Sequence, residues 1–238
     1  MQAVILAGGL ATRLRPLTET IPKSMVMINN KPFLQYQLEL LRTKGITDIV
    51  LCVGYLHEQI QDFFQNGKDF GVKLKYSIEE KNLLGTAGAL KKAANLLDEK
   101  FFLTYGDSYV FLDFQRILSF FNAYDQLALM VVYKNYNKFD KSNVCLEGNK
   151  VSKYDKNAAD DNMIYIDYGV SLLRNEILRF IPTGTVYSLE DVFKEIITQN
   201  SMLAFEAKER FYEIGSFNGL NEFTNFILTK SISGGIEG

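Results

Sequence analysis

The sequence predicts an α/β protein built on a parallel central sheet. Three observations carry that prediction. Short continuous apolar runs, AVILA at 3–7, IVLCV at 49–53 and FFLTY at 101–105, have the length and composition of strands buried on both faces. Stripes of apolar residues at helical spacing separate them. Strand and helix alternate over about the first 110 residues, as right-handed crossover units do.

The first strand ends in Gly8-Gly9. Residues 10–31 are polar and basic, with Arg13, Arg15, Lys23 and prolines at 16 and 22, and show no clear period. A helix is predicted from Pro32, since proline is favoured in a first helical turn. Phe33, Tyr36, Leu40 and Leu41 then fall at helical spacing, and Gly45 supplies the stop. After the strand at 49–53, a second helix carries Leu56, Ile60, Phe63 and Phe64 on one stripe. Val72–Ser77 is a third strand, with Glu79-Glu80 just beyond it. LGTAGAL at 84–90 opens a helix to about Leu97, and the strand at 101–105 closes in Gly106-Asp107-Ser108.

The second half changes character. Leu127–Tyr133 reads as a strand, and Glu147-Gly148-Asn149-Lys150 reads as a hairpin turn between Asn143–Leu146 and Val151–Tyr154. Met163–Leu173 is extended, and Ser188 with Asp191 resembles a capping box for a helix through Gln199. Phe211–Ile214 is a short strand, a last helix spans about Leu220–Leu228, and Ser231–Gly238 reads as a loose tail. No linker or internal repeat divides the chain. The expectation is one domain over residues 1–230, an α/β core with a small mixed β lobe, followed by the tail at 231–238.

The chain has 238 residues, enough to bury roughly 70–75% of its unfolded surface. Its 26 Lys+Arg against 28 Asp+Glu give a net charge of -2, which argues against general nucleic-acid binding but leaves room for a local phosphate pocket. Cys52 and Cys145 lie far apart, with neither a disulfide framework nor zinc spacing, so a reducing compartment is expected. The N-terminus lacks a signal-peptide pattern and no run approaches membrane-span length. The expected location is the cytoplasm, with no membrane partner. Aromatic residues of the second half could form a homodimer contact.

Open α/β sheets bind ligands at the carboxyl ends of their strands. Gly8-Gly9 let backbone amides approach an anion, and Arg13, Arg15 and Lys23 supply cations for a polyphosphate. Neither a Walker A loop nor a dinucleotide fingerprint is present. The same residues also suit a glycine turn with solvated cations. Asp107, just past a buried strand, is placed either to hold Mg²⁺ or to cap a turn. Glu213, before Gly215, is either a second such carboxylate or an ordinary surface one.

Residues 6–23, LAGGLATRLRPLTETIPK, resemble the signature of the sugar-1-phosphate nucleotidylyltransferases, L-A-G-G-x-G-T-R-L-x-P-L-T-x-x-x-P-K. The resemblance continues through Asn30–Phe33, Leu84–Leu90 and Gly106-Asp107, and is nearest to the mannose- and heptose-1-phosphate guanylyltransferases through Gly85–Gly88. It implies a Rossmann-like nucleotidyltransferase core with a mostly parallel sheet. It also implies transfer of a nucleotidyl group from an NTP, GTP first, to a sugar 1-phosphate, with Mg²⁺ as cofactor. By the same resemblance Leu6, Ala7, Gly8, Gly9, Glu80, Gly85 and Thr86 would line the nucleotide, and Arg13 and Lys23 would grip phosphates. Asp107 and Glu213 would hold the metal, while Lys156, Asp167 and Gly169 would border the sugar phosphate. Two departures stand out: Ala11 where the signature has Gly, and Glu213 where Asp is usual. The competing readings are a cytidylyltransferase for a non-sugar phosphate such as phosphocholine, and a nucleotide-binding regulatory subunit without turnover.

Overall fold

The computed structural model describes residues 1–80, 82–157 and 160–233. β1 (Gln2–Leu6) is followed by a short hairpin, β2 (Met27–Ile28) and β3 (Lys31–Pro32). Next come α1 (Phe33–Thr43), β4 (Asp48–Val53), α2 (His57–Phe64), β5 (Lys73–Ile78), α3 (Gly85–Lys92) and β6 (Lys100–Tyr105). The chain continues through β7 (Ser108–Tyr109), α4 (Phe114–Asn122), β8 (Ala128–Lys134), β9 (Val144–Glu147), β10 (Lys150–Tyr154) and β11 (Tyr165–Arg174). It ends with α5 (Leu189–Thr198), β12 (Met202–Ala207), β13 (Tyr212–Glu213) and α6 (Phe217–Ser233).

Nine strands form one sheet in the order β5-β4-β1-β6-β11-β8-β12-β10-β9. β5, β4, β1 and β6 are parallel, whereas β11 runs antiparallel to both β6 and β8. The strands of the second half therefore extend the same sheet and make it mixed. Within the α/β class expected, this is the form the β lobe takes. Alternate residues of β1 serve opposite faces: Ala3 and Ile5 join one core with α1, α2 and α4, Val4 and Leu6 the other with α3 and α5. A third cluster packs α6 on the start of α1, where Phe223 meets Phe33 edge-on at 5.1 Å.

Local signals explain the helices. Pro32 stands at φ −66° immediately before α1, which buries Phe33, Leu34, Tyr36, Gln37, Leu38 and Leu41. The Ser188 hydroxyl accepts the Glu190 amide and so starts α5. The elements absent from the sequence-based expectation are α4, β12 and the two-residue strands β2, β3 and β7. Yet α4 carries a readable pattern: Asp113 accepts the Arg116 amide as a cap, and Phe114, Ile117 and Phe121 are buried. The tail expected from Ser231 begins too early, because α6 runs to Ser233 and the first glycine beyond its apolar stripe is Gly234. Residues 234–238 lie outside the described residues. No helix among the described residues is long and apolar enough to cross a membrane.

Candidate active site

β1 sits between β4 and β6, so the chain adds strands first to one side of it and then to the other. The crevice outside the carboxyl ends of β1 and β6 is the topological switch point, where such sheets bind ligands. A cleft of about 210 Å³ lies there. Leu6, Ala7, Gly8 and Gly9 line it from β1, Gly106 and Asp107 from β6, and Gly85 and Thr86 from the start of α3. Lys23 reaches it from the 10–31 segment.

The charged groups meet at one edge of this cleft. Lys23 Nζ lies 2.5 Å from Asp107 Oδ2, both side chains about one-fifth exposed. The two-stranded pairing of β7 with β13 sets Glu213 opposite Ser108, and the Ile214 amide donates to the Asp107 carbonyl at 2.9 Å. Two carboxylates 106 positions apart in sequence thereby become neighbours. A Cβ placed on Gly215 would stand 2.5 Å from Glu213 Oε2, 2.9 Å from Arg13 Nη2 and 3.4 Å from Asp107 Oδ2. Any larger residue at 215 would thus collide with this cluster. Both Glu213 oxygens are already engaged, Oε2 by the Gly215 amide and Oε1 by the Ser216 hydroxyl at 2.8 Å. Arg13 is exposed on the rim and is not part of the cleft wall.

On the opposite side the structure replaces one expected residue. Glu80 is exposed and outside the cleft, while Glu79 is buried and lines it. Glu79 is the first residue past β5, so its amide still pairs with the Val53 carbonyl and its side chain turns inward. Glu79 Oε1 accepts the Leu84 amide at 2.7 Å, and Oε2 faces Gly8, where a Cβ would approach it to 3.0 Å. Burial raises the Glu79 carboxyl above its ordinary value, partly offset by the Leu84 amide and by Lys92. Beside it the Cys52 thiol is pushed up to about 12, by burial first and then by Glu79. Gly85 adopts φ +72°, and a Cβ there would strike the Tyr187 carbonyl at 2.7 Å. The Thr86 hydroxyl accepts the Leu189 amide at 2.9 Å, which ties α3 to α5.

β11 runs against β6, so its early residues reach the same strand end. The register of β11 on β8 shifts between Asp167 and Ser171, which leaves Gly169 at φ +78°. Asp167 accepts the Tyr154 phenol at 2.9 Å and the Gly169 amide at 2.9 Å. Gly169 lies against Tyr105 and Ser108, and Lys156 Nζ stands 5.7 Å from the Tyr105 ring centre. Tyr105, unremarked in the sequence, is the last residue of β6 and joins the two regions. Burial, then Asp167, Asp107 and Glu190, push its phenol well above the usual range.

The nucleotidyl transferase family matches the chain over residues 2–230. The protein belongs to this family. Among its relatives is the D-glycero-alpha-D-manno-heptose 1-phosphate guanylyltransferase of Campylobacter jejuni, 31% identical over 220 residues that cover 90% of this chain and 95% of the relative. A UTP–glucose-1-phosphate uridylyltransferase of Synechocystis is 31% identical over 90% of this chain. The chain spans only 59% of that longer protein. The crystal structure of HddC from Yersinia pseudotuberculosis complexed with GMP-PN superposes with a TM-score of 0.77 at 27% identity, covering 95% of this chain and 99% of that one.

In this nucleotidyl transferase the departure at Ala11 has a structural consequence. Ala11 takes φ 49°, ψ 42°, so the loop keeps the left-handed turn and accepts the methyl group. Its carbonyl is held by the Thr18 hydroxyl at 2.8 Å and the Leu14 amide at 3.1 Å. Left-handed backbone costs an L residue about 1–2 kcal/mol, against about 0.5–1 kcal/mol of extra chain entropy for glycine. Ala11→Gly is therefore expected to stabilise the protein by roughly 0.5–1 kcal/mol, raising the thermal midpoint by about 2 °C. A midpoint at or below the parent's, measured by calorimetry, would show that the turn carries no such strain.

Proposed function

We propose that the protein transfers a nucleotidyl group from an NTP, GTP foremost, to a sugar 1-phosphate in the cytoplasm. The observation that carries this reading is the meeting of Lys23 and Asp107 beside the Gly8-Gly9 turn, with Arg13 and Glu213 gathered next to Asp107 around Gly215. In the reaction an oxygen of the sugar phosphate attacks the α-phosphorus in line. A new P–O bond forms, the bond to the β-phosphate oxygen breaks, and pyrophosphate leaves. The nucleophile is already an anion, so no side-chain base is needed. That accords with the lone histidine, His57, sitting on α2 with its ring bonded to Gln61. The main difficulty is bringing anions together, which preplaced cations address by positioning and electrostatics.

Gly8 and Gly9 would admit phosphates close to the backbone, and Lys23 and Arg13 would neutralise them. Asp107, with Glu213 beside it, suits Mg²⁺, which takes oxygen ligands and keeps waters and substrate phosphates. Each carboxylate has about four acceptor sites, so the bonds Glu213 already makes leave capacity. Among the described residues no cluster of three metal-binding side chains occurs, and two carboxylates plus phosphates are enough for this ion. Mg²⁺ when bound would polarise a phosphoryl oxygen and template the displacement. Asp167, Gly169 and Lys156 would border the sugar phosphate.

For the base, Glu79 takes the place assigned above to Glu80. Its inward carboxyl could accept the adjacent N1–H and N2–H₂ donors of guanine, a pair that pyrimidines lack. The names of the Campylobacter and Yersinia relatives and ligands support guanine, while that of the Synechocystis relative supports uracil. A panel of four NTPs against several sugar 1-phosphates, read as pyrophosphate release, tests the reading. GTP is expected to be fastest, and Glu79→Gln to narrow the GTP-over-UTP preference by about tenfold. GTP as the slowest nucleotide would overturn the guanylyl preference. Tight NTP binding with no pyrophosphate from any acceptor would overturn the enzyme in favour of a binding subunit.

A further inference from the structure

We infer that Gln37 is a positioning residue for the Asp107 carboxylate, a role that rests on the nucleotidyl-transfer reading above. Gln37 lies on α1, a layer away from the cleft, and is only 3% exposed. Its Nε2 donates to the Tyr105 carbonyl at 2.8 Å and to the Ser108 carbonyl at 2.7 Å. Those two carbonyls bracket the dipeptide Gly106-Asp107. A single amide group therefore clamps both ends of the turn that presents the carboxylate.

The chemistry of the clamp is one-sided. Gln37 Oε1 is buried and has no hydrogen-bond partner among the described residues. A buried unpaired amide oxygen is costly, and an apolar side chain of the same length would avoid that cost. The two N–H donors are thus what this position uses. The amide orientation follows from the same fact, because a flipped group would set its oxygen against two carbonyl oxygens. The turn is held from two further directions: the Gly106 amide donates to the Leu6 carbonyl at 2.8 Å, and the Asp107 carbonyl accepts the Ile214 amide at 2.9 Å. β1, β13 and α1 together leave the Asp107 backbone little freedom. Of these ties, the one from α1 alone depends on a side chain.

Removing the donors should loosen the carboxylate without touching any substrate-binding group. Gln37→Met keeps the length and deletes both donors. Gln37→Asn keeps the amide on a shorter stem that reaches at most one carbonyl. Leu41→Ala, a buried residue on the same helix, controls for simple loss of stability. Each variant is checked by circular dichroism and thermal unfolding. It is then titrated with Mn²⁺ in the presence of a non-hydrolysable NTP, free Mn²⁺ being read by electron paramagnetic resonance.

Gln37→Met is expected to weaken Mn²⁺ binding by about tenfold and to lower kcat, with KM for the sugar phosphate within about twofold of the parent. Gln37→Asn should fall between the two. Leu41→Ala should lower the unfolding midpoint and leave Mn²⁺ binding unchanged. Mn²⁺ affinity within about twofold of the parent in Gln37→Met would overturn the role, as would an equal loss in Leu41→Ala or failure of both Gln37 variants to fold. A parent protein that binds no Mn²⁺ with nucleotide would overturn the nucleotidyl-transfer reading itself, and this proposal with it.

Discussion

Asp107→Asn abolishes Mg²⁺-stimulated turnover, with an expected fall on the order of 10³-fold at saturating substrates. The variant keeps the shape of the side chain and removes its charge. The turn survives, because its ties run through the backbone: Gly106 to β1, and the Asp107 carbonyl to Ile214. The ion pair with Lys23 is lost, but both partners are about one-fifth exposed, so solvent screens much of its worth. The cost in stability is about 1 kcal/mol or less, and the thermal midpoint moves by only a few degrees. Pyrophosphate release across a Mg²⁺ titration, with circular dichroism as the folding control, checks both halves of the result. A variant still stimulated by Mg²⁺ would place the metal elsewhere.

Lys23→Ala has two effects of opposite sign. Turnover falls by about 10²–10³, since a preplaced cation is lost from the phosphates. Metal affinity in the absence of nucleotide rises, because Lys23 Nζ now rests on the Asp107 Oδ2 that a divalent ion would use. A unit charge pair at 4 Å is worth about 4 kcal/mol at an effective dielectric near 20, before desolvation is subtracted. Even a small part of that is measurable as tighter Mn²⁺ binding to the nucleotide-free variant. Lys23 contributes no core packing, so the protein stays folded. Parent-level turnover in Lys23→Ala would remove the residue from the site, and unchanged metal affinity would show that it does not compete for Asp107.

Much of the fold is legible along the chain. The buried strands β1, β4 and β6 announce themselves as apolar runs, and α1 and α5 by proline and serine at their starts. The β9–β10 hairpin is marked by Gly148 at φ +60°. The misses have physical causes. β2 and β3 are two residues each and too short to show a period. β12 is read with difficulty because its run, MLAFEA, is short and interrupted by alanine and glutamate. No such cause applies to α4, which Asp113 and the stripe of Phe114, Ile117 and Phe121 mark in the chain.

For the site, residue types along the chain determined which chemistry was available: a glycine turn, cations after it, and carboxylates at strand ends. Only the tertiary structure decided which of these groups meet. Strand order put Gly8-Gly9 beside Gly106-Asp107, and the β7–β13 pairing brought Glu213 to Asp107. It also chose Glu79 over Glu80, because side chains alternate in direction at a strand end and only one of two adjacent carboxylates can face inward. The clamp from Gln37 lay beyond any reading of the chain. Its partners are backbone carbonyls about 70 residues away, and backbone groups carry no signal in a sequence.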